Sequence, residues 1–303
     1  MGVFVRQLDY AVVATVIVAA VPASIVQAQP TAPEAEINAA FAAAEKVAVR
    51  GPATVKLVDQ ATLALPAGQV FIPAGEANRI MRALGNTRDP SRFGLVLGTA
   101  KDDSWIVDVS WTKEGYVRDG DAREWQADAL LESLREGTEH ANEERRARGF
   151  PAMEILGWVQ PPRYDPATHR LVWSLLSRDK GAPANAVRTI NYNTYALGRE
   201  GYFSLDLITD AARIETDKHV ALDLLGSLEY QNGKRYADFN GSTDKVAAYG
   251  LAALVGAVAV KKLGLLAVIG VFLLKAWKLL IIGFVAGGAA IRRWFKKPEN
   301  PAE

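Results

Sequence analysis

The last sixth of the chain, Val246 to Lys297, is the feature that most limits what this sequence can become. It opens VAAYGLAALVGAVAV, passes Lys261-Lys262, continues GLLAVIGVFLLKAWKLLIIGFVAGGAA and ends on the basic IRRWFKK. The first run, Val246 to Val260, would be about 22 Å long as a helix, short of the roughly 30 Å hydrocarbon layer of a bilayer. The second, Leu263 to Ala290, is long enough to span, but carries Lys275 and Lys278 one turn apart on the same side. A charge near the bilayer centre costs roughly 2.5–3.5 kcal/mol on insertion scales. These lysines therefore point to snorkelling, to a partner in the membrane or to an interfacial helix. Gly283 and Gly287 add a GxxxG spacing that lets helices pack closely, a weak motif by itself. The expectation is a membrane region over 246–297 with C-terminal transmembrane helices and a basic tail, the number of spans being open. A single span leaves Arg292 to Lys297 in the cytoplasm, as the positive-inside tendency prefers, and a hairpin reverses it.

The other end reads as a leader. One Arg precedes the apolar run AVVATVIVAAV, Pro22 ends it, and Val26-Gln27-Ala28 supplies small residues before a cleavage site. About eleven apolar residues are too few to span comfortably, so residues 1–28 are expected to be a secretory signal peptide. With an apolar region at the far end, the expectation is an exported main domain held at a membrane. The chain has 303 residues and no cysteine, so thiol catalysis, thiolate zinc sites and iron-sulfur clusters are excluded and an exported domain must rely on its core. The net charge of +1 conceals an asymmetry, because the basic residues concentrated after Val246 leave the preceding chain acidic. An acidic domain argues against a nucleic-acid partner.

Between these ends the pattern alternates between helix and strand. Residues 29–52 read as an N-terminal helix and linker, with Ile37, Phe41, Ala44 and Val47 at helical spacing before Arg50-Gly51-Pro52. Residues 53–240 read as an α+β domain. Strand patterns run over 54–58, 62–65, 69–72, 93–99, 104–111, 153–160, 170–177, 187–197 and 202–209, and helices over 76–84, 122–148 and 211–228. Short polar links between successive strands predict antiparallel pairing. The fold class is thus α+β, with an antiparallel sheet and packed helices in an exported domain. The long helix and the late helix are expected on one face, in a layered plan like that of the PsbP and Mog1 group, on element order alone.

No phosphate loop, dinucleotide glycine fingerprint, zincin motif or nucleophile elbow is present. No cofactor or metal is expected: the three histidines, His140, His169 and His219, lie on separate elements without ligand spacing. Glu136, His140 and Glu144 share a helical face that reads as solvated. Asp165 and Asp206 are the carboxylates in unusual settings, although Asp165-Pro166 is also a simple turn device. Asn191, Asn193 and Tyr195 alternate along one strand face, opposite Ile190, Tyr192 and Thr194. They suit either a ligand surface or the solvent side of a sheet. The candidate ligand-binding set is therefore Tyr164, Asp165, His169, Asn191, Asn193 and Tyr195, and the candidate membrane-assembly set is Lys275, Lys278, Gly283 and Gly287. The five tryptophans before the apolar region read as core.

Six stretches, GYVRDGDA (115–122), NEERRARG (142–149), GWVQPPRYD (157–165), INYNTYALGREG (190–201), GKRYADF (233–239) and TDKVAAYGLAAL (243–254), resemble DUF2167, a bacterial family of predicted membrane-anchored proteins of unknown function. The resemblance implies architecture and place, and supplies no catalytic residue. Two function classes follow. The preferred one is a non-catalytic envelope module that faces the periplasm and assembles, through its C-terminal helices, with another membrane protein or with itself. The alternative is an envelope hydrolase with its site near the Tyr164–His169 loop. Convergence of Tyr164, Asp165, His169 and Asn193 in one cleft would favour the second.

Overall fold

The computed structural model describes residues 32–256, apart from residues 85, 87, 101, 148–150, 184, 185 and 187. The leader and the Leu263 to Ala290 run, with Lys275, Lys278, Gly283 and Gly287, lie outside the described residues. The elements in order are α1 (Ala32–Glu45), β1 (Val49–Arg50), β2 (Ala53–Leu57), β3 (Ala61–Leu65), β4 (Gln69–Pro73), α2 (Ala74–Ala83), β5 (Arg92–Gly98), β6 (Ile106–Thr112) and β7 (Tyr116–Arg118). They continue with α3 (Ala127–Ala147), β8 (Met153–Asp165), β9 (Arg170–Asp179), β10 (Thr189–Leu197), β11 (Tyr202–Asp210), α4 (Ile214–Ser227), β12 (Leu228–Tyr230) and β13 (Val246–Gly250). Short 3-10 helices occupy Gly120–Arg123, Tyr236–Asp238 and Leu251–Val255.

An eight-stranded sheet in the order β1-β4-β5-β6-β11-β10-β9-β8 organises the domain, and every pairing in it is antiparallel. Its hairpins follow from local turn chemistry. Asp165 closes β8 to β9 by accepting hydrogen bonds from the Ala167 amide and the Thr168 hydroxyl, at 3.0 and 2.7 Å. The Gly198 amide closes β10 to β11 on the Gly201 carbonyl at 2.8 Å. Both sheet faces are covered, so the central strands β10 and β11 are buried along almost their whole length. On one face, Val107, Val109, Ile190, Phe203, Leu205 and Leu207 pack against α4 and a small sheet of β12, β3 and β2. On the other, α1 and α2 form one cluster with Ile72, Leu95, Leu97 and Ile208. A second cluster there joins α3 to Leu171, Trp173, Leu175 and the Leu251–Val255 helix.

Three expectations are corrected. The long helix α3 and the late helix α4 lie on opposite faces, because both faces of the central strands carry apolar residues and each needs its own layer. Helix α1 is part of the core, with Ile37, Ala40, Phe41 and Ala44 packed on α2, so 29–52 is not a separate helix and linker. Val47, expected in its stripe, follows the helix end and is 47% exposed. The third concerns 246–255, expected as the start of the membrane region. These residues form β13, paired parallel to β7, and a 3-10 helix whose Leu251, Leu254 and Val255 are fully buried. The run is apolar because it fills the domain's own interior. Among the described residues no helix is long and apolar enough to cross a membrane.

Candidate functional site

Five of the six stretches that carry the resemblance meet at one corner of the domain, and Asn142, in the sixth, lies at the other end of β8, where it bonds Met153. Gly115 leads into β7 at φ +97°, and a Cβ there would lie 2.5 Å from the Lys245 carbonyl oxygen, so only glycine lets β7 reach β13. Tyr116 then stacks on Phe239 and Tyr236, with ring centroids 3.9 and 4.3 Å away. Tyr236 donates to the Val117 carbonyl at 2.8 Å, and the His169 ring lies 4.2 Å from its own. Tyr164 donates to Asp119 at 2.7 Å and sits 3.1 Å from His169 Nδ1. A phenol has one proton, so His169 places its own proton on Nδ1 to donate here and leaves Nε2 as the basic nitrogen. His169 is itself left-handed, at φ +53°, with its carbonyl taking the Leu197 amide.

Burial, then Asp119, drives the Tyr164 phenol far above its ordinary range, and burial does the same to Tyr236. Both are neutral donors, and neither supplies a phenolate nucleophile. The other acids at this corner hold backbone. Asp121 accepts the Leu251 and Ala252 amides at 3.0 Å each, capping the last helix. Asp244 takes a bidentate pair from Arg199 at 2.6 and 2.8 Å, which holds its carboxyl well below the usual range.

A second polar group lies inside the domain. Strand register aligns Asp108 on β6, Asp206 on β11, Asn193 on β10 and Trp173 on β9 in one row across the sheet, with Asn191 two residues along on the same face. Asp108, Asp206 and Asn191 are 1, 2 and 2% exposed. The row is the seam between the two apolar clusters of that face. Arg92 grips Asp108 with three contacts of 2.6–3.0 Å and donates to Asn78 at 2.8 Å. Asp206 has the Ser204 side chain and the Thr194 backbone as hydrogen-bond partners, but its Oδ1 has none among the described residues. Burial first, then the Asp108 charge, raises its pKa well above the carboxylate range. Asn193 donates to the Asn191 carbonyl at 3.2 Å. The Asn191 carboxamide has no partner among the described residues for either its nitrogen or its oxygen.

The expected site therefore divides. Tyr164 and His169 meet, Asp165 serves its turn, and Asn191, Asn193 and Tyr195 lie in the interior rather than on a solvent face. Leu197, beside His169, is four residues from Asn193, about 13 Å along the strand. The four residues whose convergence would have favoured a hydrolase do not share a cleft. Sequence reasoning missed Asp119, Arg92 and Asp108. The last carried a signal, an acid at the same parity as Ile106 in a strand apolar on both faces. Among the described residues no three His, Asp or Glu side chains gather as metal ligands.

No curated protein matches the chain. Among solved structures it is similar to the solution structure of cyanobacterial PsbP (CyanoP) from Synechocystis sp. PCC 6803, at 12% identity and a TM-score of 0.37, over 59% of this chain and 92% of that one. A family model described as protein of unknown function, DUF2167, matches residues 49–285, and the chain belongs to that family.

Proposed function

We propose that the protein is a membrane-anchored component of the bacterial cell envelope whose α+β domain faces the periplasm as a non-catalytic binding or assembly module. The observation that carries this reading is the way the domain ends. Leu251, Leu254 and Val255 are core, Asp121 holds the amides of their helix, and Gly256 turns the chain at φ +89°. Seven residues later the apolar run begins at Leu263. A span mounted that close to a packed core leaves the domain little freedom relative to the bilayer, which suits assembly better than reach. The leader supports export, and Lys275 and Lys278 within the run supply polar contacts for a partner helix, either another membrane protein or a second copy.

The polar groups at the surface corner support a non-catalytic role, since Asp119, Asp121, Asp165 and Asp244 all bind parts of the fold. The hydrogen-bonded series Asp119, Tyr164 and His169 favours the alternative, a hydrolase using His169 Nε2 as base. Purification of the intact chain from membranes in mild detergent, beside a form ending at Gly256 and an intact Lys275→Ala/Lys278→Ala variant, tests the proposal. One stoichiometric partner or self-assembly is expected with the intact chain alone. Equal recovery from all three forms, or none from any, overturns the assembly role. Ester or amide hydrolysis lost in His169→Gln would establish the alternative.

A further inference from the structure

Two Asn-Gly pairs lie in the connection from β12 to β13, Asn232-Gly233 and Asn240-Gly241, and all four residues are exposed. Glycine after asparagine leaves the carboxamide open to attack by the next backbone nitrogen, because no side chain stands in the way. Sequence and exposure treat the two pairs alike. Their hydrogen bonds do not.

Asn240 is held on every side. Its amide donates to Asp244 Oδ2 at 2.7 Å, its carbonyl accepts from the Thr243 and Asp244 amides at 3.1 and 2.9 Å, and its Oδ1 accepts from the Ser242 amide at 3.0 Å. Asp244 is in turn fixed by the Arg199 clasp. Bringing Cγ to the Gly241 nitrogen requires rotation about the Asn240 backbone and side-chain bonds, and several of these hydrogen bonds must break first. Asn232 instead occupies the second position of a turn closed by the Lys234 amide on the Gln231 carbonyl at 3.0 Å, with Gly233 in the third at φ +80°. Among the described residues no hydrogen bond holds the Asn232 backbone or the Gly233 nitrogen, and a Cβ built on Gly233 would meet nothing within 4 Å. The carboxamide has one contact, Arg235 Nη2 donating to its Oδ1 at 2.7 Å. That guanidinium faces the oxygen on which negative charge gathers when a nucleophile adds to Cγ, and it pairs with the carboxylate that results. At Asn240 a new carboxylate would stand beside Asp244.

We infer that Asn232 is a self-modifying site of the folded protein, converting to aspartate and isoaspartate through a cyclic imide, while Asn240 is protected by its surroundings. The Gly233 nitrogen gives up its proton and bonds to Asn232 Cγ, the Cγ–Nδ2 bond breaks, and Nδ2 leaves as ammonia with that proton. Water then opens the ring at either carbonyl, so the net change is one water taken up and one ammonia released. The turn gains one negative charge beside Lys234, which already bridges Glu200 and Asp59. The step needs neither a membrane nor a partner and is independent of the assembly role.

The test is incubation of the full-length protein in detergent, in mildly alkaline heavy-oxygen water, with mass spectrometry of the peptides that carry each pair. The heavy oxygen marks conversions made before digestion. Asn232 is expected to convert at least about tenfold faster than Asn240, the rate cost of breaking a few hydrogen bonds. In urea, which removes the fold, the two rates are expected to come together. Asp244→Ala takes away the acceptor of the Asn240 amide and is expected to raise the Asn240 rate. Equal rates in the folded protein, a faster Asn240, or no conversion at Asn232 overturns the proposal. A ratio that survives in urea overturns it as well, since local sequence would then be the cause, and so does an Asn240 rate untouched by Asp244→Ala.

Discussion

Two aspartates that face each other across neighbouring strands have opposite effects on stability, and the difference is their partners. Asp108 has the Arg92 guanidinium, and both side chains are nearly inaccessible. Asp108→Asn would leave that guanidinium buried without its countercharge, at a cost of about 3–5 kcal/mol, measurable by urea unfolding. Asp206 has no cation paired with it among the described residues, and its folded pKa is raised by burial and by Asp108. Below about pH 4 both the folded and unfolded states hold its proton, and it costs the fold no ionisation energy. As pH rises, the unfolded carboxyl ionises first and stability falls, until the folded carboxyl ionises as well. Asp206→Asn should therefore melt higher than wild type at pH 7, by about 1.4 kcal/mol for each unit by which the pKa is displaced. The gain should close as pH falls toward 4; a gain independent of pH would mean that the carboxyl is not the source.

At the scale of elements, the chain from Val246 to Gly256 shows how one composition serves two purposes. Alanine, valine, leucine and glycine, with Tyr249 among them, suit a membrane span, a buried strand or a core helix, and periodicity alone does not separate them. Gly115 decides the outcome here by admitting β13 against β7, and Asp121 by taking the two helix amides. A chain ending after Asn240 should lose cooperative unfolding, because it lacks Leu251, Leu254 and Val255, whereas one ending at Gly256 should keep it. Leu254→Ala should cost about 2–5 kcal/mol by leaving a cavity, and Asp121→Ala about 1–3 kcal/mol by freeing two amides, both read from denaturant midpoints. If Asn240 proves a harmless end point, the last strand and helix are not core. Strand β8 carried a smaller misreading of the same kind. Its second half passes through Pro161-Pro162, which reads as a link, yet it lies on the sheet edge, where proline costs no ladder bond.

For the whole molecule, an eight-stranded antiparallel sheet covered on both faces, by helices and by the small β12-β3-β2 sheet, accounts for the acidic, disulfide-free domain, and the apolar run that follows it accounts for the proposed anchoring. The full chain should fractionate with membranes and resist extraction by alkaline carbonate, while the form ending at Gly256 should be released; recovery of both in the soluble fraction would remove the anchor. The sequence by itself determined most of the longer helices and strands, the antiparallel hairpins and the family, because side-chain alternation and turn residues are local and survive without tertiary context, while the short strands β7, β12 and β13 escaped it. It also marked Asn191, Asn193, Tyr195 and Asp206 as unusual. Only the tertiary structure decided that Asn191 and Asp206 lie buried diagonally opposite each other on adjoining strands, that Arg92 is held between Asp108 and Asn78, that α3 and α4 take opposite faces, and that 246–256 belongs to the core. Those outcomes depend on which strands become neighbours and what covers each face, and both are set by contacts between residues far apart in the chain.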